Sequence, residues 1–114
     1  MLPSKRRIRK KEFSYILLNT KRFNSTHLLL SIAGFEQEQE KLSRFAFSVS
    51  KKVAKRSVDR NRLRRRGYSI ISKYISDIKS GYFFVFSFKK GSEKITFIDL
   101  EKEILELLKS CRML

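Results

Sequence analysis

Between positions 44 and 50 the chain reads RFAFSVS. Phe45, Phe47 and Val49 fall on one side of an extended backbone, and Ala46, Ser48 and Ser50 on the other. A repeat of two belongs to a β-strand whose faces meet unlike surroundings. This segment therefore commits the chain to a sheet with one greasy face and one lined by small side chains. Phe45 and Phe47 are expected toward the core, with Ala46, Ser48 and Ser50 on the open side.

Two further runs are strand-like. Residues 26–33 (THLLLSIA) are short, apolar and end at Gly34, and residues 82–88 (YFFVFSF) are dense in aromatics. Three segments carry helical spacing instead. Over about 9–20, Phe13, Ile16, Leu17 and Thr20 recur every three or four positions. Over about 57–78 the apolar stripe is Val58, Leu63, Tyr68, Ile71, Tyr74, Ile75 and Ile78, with Ser57 as the expected N-cap and Ser80-Gly81 as the stop. Gly67 interrupts this helix at a cost of about 1 kcal/mol relative to Ala. The last helix, about 97–111, is capped by Thr96 with Asp99 three residues on, and turns Phe97, Leu100, Ile104, Leu107, Leu108 and Cys111 to one side. Helices and adjacent strands in this mixed order predict an α+β fold, not a doubly wound sheet.

A chain of 114 residues fits one domain. The single domain expected over 1–114 begins with a flexible basic arm over 1–8. The acidic run Glu36-Gln37-Glu38-Gln39-Glu40 reads as a solvated loop. One Cys rules out an internal disulfide framework, and with one His it rules out most zinc patterns. No apolar run approaches the roughly 20 residues of a membrane span, and the basic start leads into no signal-peptide core, so a soluble protein of a reducing compartment is expected. His27 is expected at a strand edge, Cys111 as a packed thiol, and Tyr68 and Tyr74 as helix–sheet contacts.

The formal net charge is +16. Residues 1–66 carry 19 basic and 5 acidic side chains, and residues 67–114 carry 8 and 6. Nearly all the excess thus precedes residue 67. It forms two blocks: Lys5, Arg6, Arg7, Arg9, Lys10 and Lys11, then Lys51, Lys52, Lys55, Arg56, Arg60, Arg62, Arg64, Arg65 and Arg66. Like charges this dense repel one another, and a polyanionic partner relieves them. Arginine supplies a fork of donors that matches phosphate oxygens, and it stacks on bases. On the helix after Ser57, Arg60, Asn61, Arg64 and Arg65 lie along one side. With Asp59 the only acidic residue in the second block and no Glu interspersed for i,i+4 pairing, a plain solvated helix face explains the cluster poorly.

Ser48-Val49-Ser50-Lys51-Lys52 followed by Arg60-Asn61-Arg62-Leu63-Arg64-Arg65 resembles the signature of the bacterial ribonuclease P protein subunit. The basic start leading to Phe13, the length, and Thr96-Phe97 opening the last helix extend the likeness to nearly the whole chain. Three positions depart from the family pattern: Leu17 where a second Phe is common, Ser57 where Ala is usual, and Gly67, which interrupts the motif helix.

The resemblance implies an αβββαβα sandwich with a left-handed crossover through the arginine-rich helix, and a fourth, short strand. It also implies a ribonucleoprotein that removes the 5′ leader of precursor tRNA, with the RNA performing the chemistry. Mg²⁺ would serve the holoenzyme, bound mainly by RNA. The catalytic RNA would be gripped by Lys51, Lys52, Lys55, Arg56, Arg60, Asn61, Arg62, Arg64, Arg65 and Arg66. The leader would lie in a cleft lined by Arg9, Phe13, Leu17, Ala46, Ser48 and Ser50. No catalytic or metal-ligating constellation stands out in the chain itself. Ribonuclease P RNA and precursor tRNA are the expected partners, in the cytoplasm, with no membrane and no obligatory protein partner. A small ribosomal protein and a peripheral membrane protein are the competing readings. The short apolar face over 13–18, without Trp, argues against the second.

Overall fold

The computed structural model describes residues 2–35 and 42–114. The acidic run Glu36–Glu40 lies outside them. Four strands form one sheet: β1 (Lys21–Asn24), β2 (Leu28–Gly34), β3 (Arg44–Ser48) and β4 (Tyr82–Phe88), in spatial order β1-β2-β4-β3. β2 runs antiparallel to β1 and to β4, whereas β3 runs parallel to β4. Helix α1 (Phe13–Leu18) precedes the sheet, α2 (Ser57–Tyr74) links β3 to β4, and α3 (Phe97–Ser110) closes the chain. The order is the α+β arrangement that the resemblance implies.

The alternation in β3 resolves as expected. Phe45 and Phe47 are buried, Ala46 is half-buried, and Ser48 and Ser50 are exposed. Phe45 stacks on Phe84 and Phe47 on Phe86, with centroids 5.0 and 4.9 Å apart and planes 9° from parallel. Parallel register places each pair side by side. Together with Leu28, Leu30 and Ile32 these rings form the sheet's contribution to the main core. Leu63, Ile70 and Ile71 of α2 and Leu100, Ile104 and Leu108 of α3 close it, all fully buried. The helix–helix seam is polar at its rim: Tyr74 donates to Glu101 at 2.7 Å, and Lys73 lies 3.2 Å from the same carboxylate.

Gly67 turns out to be a fitting piece. A Cβ at this position would come within 2.4 Å of Phe47 Cε1, so only glycine lets α2 settle on β3. Val58, by contrast, was expected in the apolar stripe and is 52% exposed. At 100° per residue it lies far round the helix from Leu63, Gly67 and Ile70. Ser57 is the first helical residue rather than the cap. Arg56 takes the cap position without a side-chain hydrogen bond. The helix also ends at Tyr74, not 78, though Ile78 still reaches the core.

The first helix is shorter than its periodicity suggested. Residues Lys10–Glu12 form a 3₁₀ turn, and Asn19 ends α1 by donating from Nδ2 to the Tyr15 carbonyl at 2.9 Å. Within the basic start, Leu2, Arg7 and Ile8 touch the body of the fold, while Pro3, Ser4 and Lys5 are exposed. Leu2 is buried in the main core, Arg7 bridges to Phe45, and the Ile8 amide donates to the Phe45 carbonyl at 3.0 Å.

The fourth strand is β1. Its sequence, KRFN, shows no alternation because three of its four side chains are exposed. Pairing with β2 makes it a strand, a tertiary effect that overrides local preference. The turn after it is fastened to α3. Ser25 Oγ donates to Glu103 at 2.6 Å, the His27 amide donates at 2.8 Å, and His27 Nδ1 lies 2.9 Å from the other carboxylate oxygen. Burial alone would raise the Glu103 pKa. The hydrogen bonds from Ser25 and His27 outweigh it and hold the carboxyl below its ordinary value. At the other end Thr96 caps α3, its Oγ1 accepting from the Asp99 amide at 3.1 Å. Cys111 is half-buried, and burial pushes its thiol pKa up.

Candidate nucleic-acid interface

The sheet face away from α2 and α3 is only partly covered. Six residues of α1 shield one end, where Ile16 packs on Ala33, Phe83 and Val85. Beyond that, the strand register lays two rows across the sheet. One row is Arg22, Ser31, Val85 and Ala46, and the next is Asn24, Leu29, Ser87 and Ser48. Four strands at about 4.8 Å spacing make a floor roughly 14 Å wide. Most of its side chains are small or polar. A cleft of about 180 Å³ opens between this floor and α1, walled by Phe13, Leu17 and Thr20 and bordered by Arg22.

Of the cleft residues expected from sequence, Phe13 and Leu17 line this opening directly. Phe13 is half-buried against the Ile16–Phe83 cluster, and Leu17 is 68% exposed. Ala46 and Ser48 continue the floor next to Val85 and Ser87. Ser50 is exposed past the end of β3, and Arg9 is exposed before α1, its amide donating to Glu12 at 2.7 Å. Arg22, Ser31 and Ser87 were missed. The signal for Ser87 was present in the period of YFFVFSF, which sets Phe83, Val85 and Ser87 opposite Phe84, Phe86 and Phe88. Arg22 was hidden because β1 carries no pattern.

The second basic block follows β3 without a break. Lys51, Lys52, Lys55 and Arg56 are exposed on the turn after the strand, and α2 then presents its arginines in three directions. Arg60 points back and donates to the carbonyls of Ala54 and Lys55 at 3.0 and 2.7 Å, fixing the basic turn. Arg62 lies 3.3 Å from Asp59, whose other oxygen is 3.4 Å from Arg56. That places a carboxylate in the first turn, where the helix dipole favours it. Arg66 donates to the Ile95 carbonyl at 3.3 Å, beside the start of α3. Asn61 and Arg65 face outward and are exposed, and Arg64 donates to the Asn61 side-chain oxygen. Of the ten residues of the sequence cluster, Arg60 and Arg66 also have internal tasks.

Among the described residues no three His, Cys, Asp or Glu side chains group as a metal ion would need, and no helix is long and apolar enough to cross a membrane.

Comparison with known proteins gives one consistent result. The family model described as Ribonuclease P matches residues 2–112. The chain is 29% identical over 109 residues to the ribonuclease P protein component of Microcystis aeruginosa, covering 94% of this chain and 91% of the relative. It is 30% identical over 115 residues to that of a Pseudanabaena species, covering 100% and 97%. In structure it is similar to the RNase P protein of Staphylococcus aureus, with a TM-score of 0.84 over 97% of this chain and 98% of that one at 16% identity.

Proposed function

The chain belongs to the ribonuclease P protein family, and on that premise we propose that it binds the catalytic RNA subunit of the holoenzyme and the 5′ leader of precursor tRNA. In this role it promotes endonucleolytic removal of the leader, and the RNA performs the chemistry. Mg²⁺ is held mainly by the RNA. The protein works in the cytoplasm without an obligatory protein partner.

The observation that carries this reading is the uncovered half of the sheet. A sheet with antiparallel strands can pack one face on the core and leave the other to solvent. Here α1 stops after six residues, and the floor beyond it is built from Ser31, Ser87, Ser48 and Ala46. Small side chains leave depth for an extended strand. Phe13 and Leu17 provide an apolar wall, and Arg22 a positive border. Aromatic and apolar contacts beside a cationic edge are what an unpaired nucleic-acid strand needs. The chain then leads from Ser48 into the basic turn and α2, so leader and catalytic RNA can be held by adjoining surfaces.

In this arrangement the protein contributes position and charge. Lys51, Lys52, Lys55 and Arg56 neutralise phosphates along the turn, with Arg62, Arg64 and Arg65 continuing along α2. Each lost phosphate contact lowers the salt slope of binding by about 0.7–0.9. The test is reconstitution with the ribonuclease P RNA of the same organism. At low Mg²⁺ the protein should accelerate precursor-tRNA cleavage. An equal rate with and without protein, or copurification with ribosomal RNA instead, overturns the reading. Arg65→Ala should reduce the salt slope by about one contact while leaving thermal stability unchanged. An unchanged slope removes Arg65 from the contact surface.

A further inference from the structure

The turn between β1 and β2 is held from behind the sheet. Glu103 of α3 keeps only 14% of its side chain exposed, and its carboxylate meets three groups of that turn. Ser25 Oγ and the His27 amide donate to one oxygen at 2.6 and 2.8 Å, and His27 Nδ1 lies 2.9 Å from the other. From the exit of β4, the Lys89 amide donates to the His27 carbonyl and Lys89 Nζ to the Ser25 carbonyl, both at 2.8 Å. β1 itself has little to hold it. Phe23 alone of its four residues packs on the main core, and Lys21, Arg22 and Asn24 are exposed. A short hairpin of this kind is marginal by itself and frays unless it is fastened.

Arg22 lies three residues before Ser25, about 10 Å along an extended chain at 3.3 Å per residue. It stands in line with Ser31 and Val85 and borders the cleft. Among the described residues its guanidinium has no ion-pair or hydrogen-bond partner. The backbone of β1 alone therefore decides where this charge stands. We propose that Glu103 is a positioning residue for the 5′ leader: by fixing the β1–β2 turn it fixes β1, and through β1 the point at which Arg22 meets a leader phosphate. The inference rests on the leader-binding reading given above and names a residue which that reading does not contain. Glu103 does not touch the strand in the cleft, because α3 packs on the opposite face of the sheet. The helix stripe it borders is apolar, with Leu100, Ile104 and Leu107 all buried. What an ionised acceptor offers in such a place is direction, since its hydrogen bonds are short and well aimed. An exposed cation on a loose strand would still attract RNA, but it would not stand at one point along the cleft.

Five chains carry the test: wild type, Arg22→Ala, Glu103→Gln, the double variant, and Thr96→Ala, which loosens the start of α3 without touching the turn. Each is reconstituted with the ribonuclease P RNA of the same organism, and affinity, KM and kcat are measured for precursor tRNA with and without its leader. Arg22→Ala should weaken binding of the leader-bearing substrate about fivefold and lower its salt slope by about 0.7, one phosphate of a single strand. Glu103→Gln should weaken the same substrate about two- to threefold through KM, with kcat and affinity for the catalytic RNA unchanged. In the Arg22→Ala background it should add nothing. Thr96→Ala should bind as wild type does, which separates positioning from lost stability. Wild-type leader affinity in Glu103→Gln overturns the proposal. So does an additive double variant, a loss shared by the leaderless substrate, or an equal loss in Thr96→Ala. Full leader affinity in Arg22→Ala overturns it too, with the leader reading intact. Where Glu103→Gln does not fold at the assay temperature, Ser25→Ala removes the 2.6 Å bond from the turn's side and meets the same expectations and refutations. If wild type itself binds both substrates alike, the leader-binding reading falls and this one with it.

Discussion

Replacing Gly67 with alanine pits two effects of opposite sign against each other. On helix propensity alone, Gly67→Ala in the middle of α2 stabilises by about 1 kcal/mol. The packing says the reverse. The new Cβ would meet Phe47 at 2.4, 2.5 and 2.7 Å from three ring carbons, where 3.4–4 Å is ordinary contact. The ring must therefore retreat by roughly 1 Å. It cannot do so freely, being stacked on Phe86 at 4.9 Å and edge-on to Tyr68 at 5.0 Å. Overpacking of a tight core costs about 1–3 kcal/mol, and a pinned ring belongs at the upper end. The net expectation is a loss of about 2 kcal/mol, or a fall in Tm of roughly 10 °C for a domain of this size. Urea and thermal denaturation followed by circular dichroism measure it. Phe47→Leu in the same chain should recover part of the loss, because a smaller side chain makes room. The cycle of single and double variants would then be non-additive in the favourable direction. A Gly67→Ala variant more stable than wild type, or an additive cycle, refutes the argument.

Two further outcomes concern α3. Thr96→Ala removes the acceptor of the Asp99 amide and should cost about 1 kcal/mol in urea denaturation, whereas Thr96→Ser should cost little. Glu103, with its folded pKa held below the ordinary 4.5, binds fewer protons folded than unfolded. Its contribution is therefore complete above the unfolded value and lost as pH falls through the folded one. Glu103→Gln should flatten the acid limb of the stability curve below about pH 4.5 and weaken the hold on the β1–β2 turn. An identical limb in both chains contradicts this.

How much was legible in the sequence follows from which forces act locally. The strands with strong alternation or aromatic density, β3 and β4, were readable because one face of each is buried in the main core. The cap at Thr96 was readable because a cap is a local hydrogen bond. β1 was not, since a polar four-residue strand is held by its neighbour and not by its own side chains. The brevity of α1 was also hidden, because Leu17 and Thr20 keep helical spacing while facing a cleft instead of a core. Val58 was misassigned for a related reason: an apolar residue on a nearly continuous stripe looks buried until the helix is seen in place. Gly67 looked like a defect in the helix, and only the position of Phe47 shows that it fits. The basic blocks were legible as a surface, but charge alone could not separate Arg60, which holds the turn, from Arg65, which faces outward.

The position of β4 bears on how the chain can fold as it is made. β4 lies between β2 and β3 and is hydrogen-bonded to both, yet it begins at residue 82. Until synthesis passes that point, the apolar faces of β2 and β3 have no partner strand to join them. Both basic blocks precede it and emerge first, on a chain without its sheet. At about 5–20 residues per second this interval lasts seconds. The sheet then closes in one step around the late strand, and α3 seals it. Folding should therefore be cooperative and wait on β4, and a fragment ending at residue 80 should carry most of the charge while lacking the cooperative melting transition.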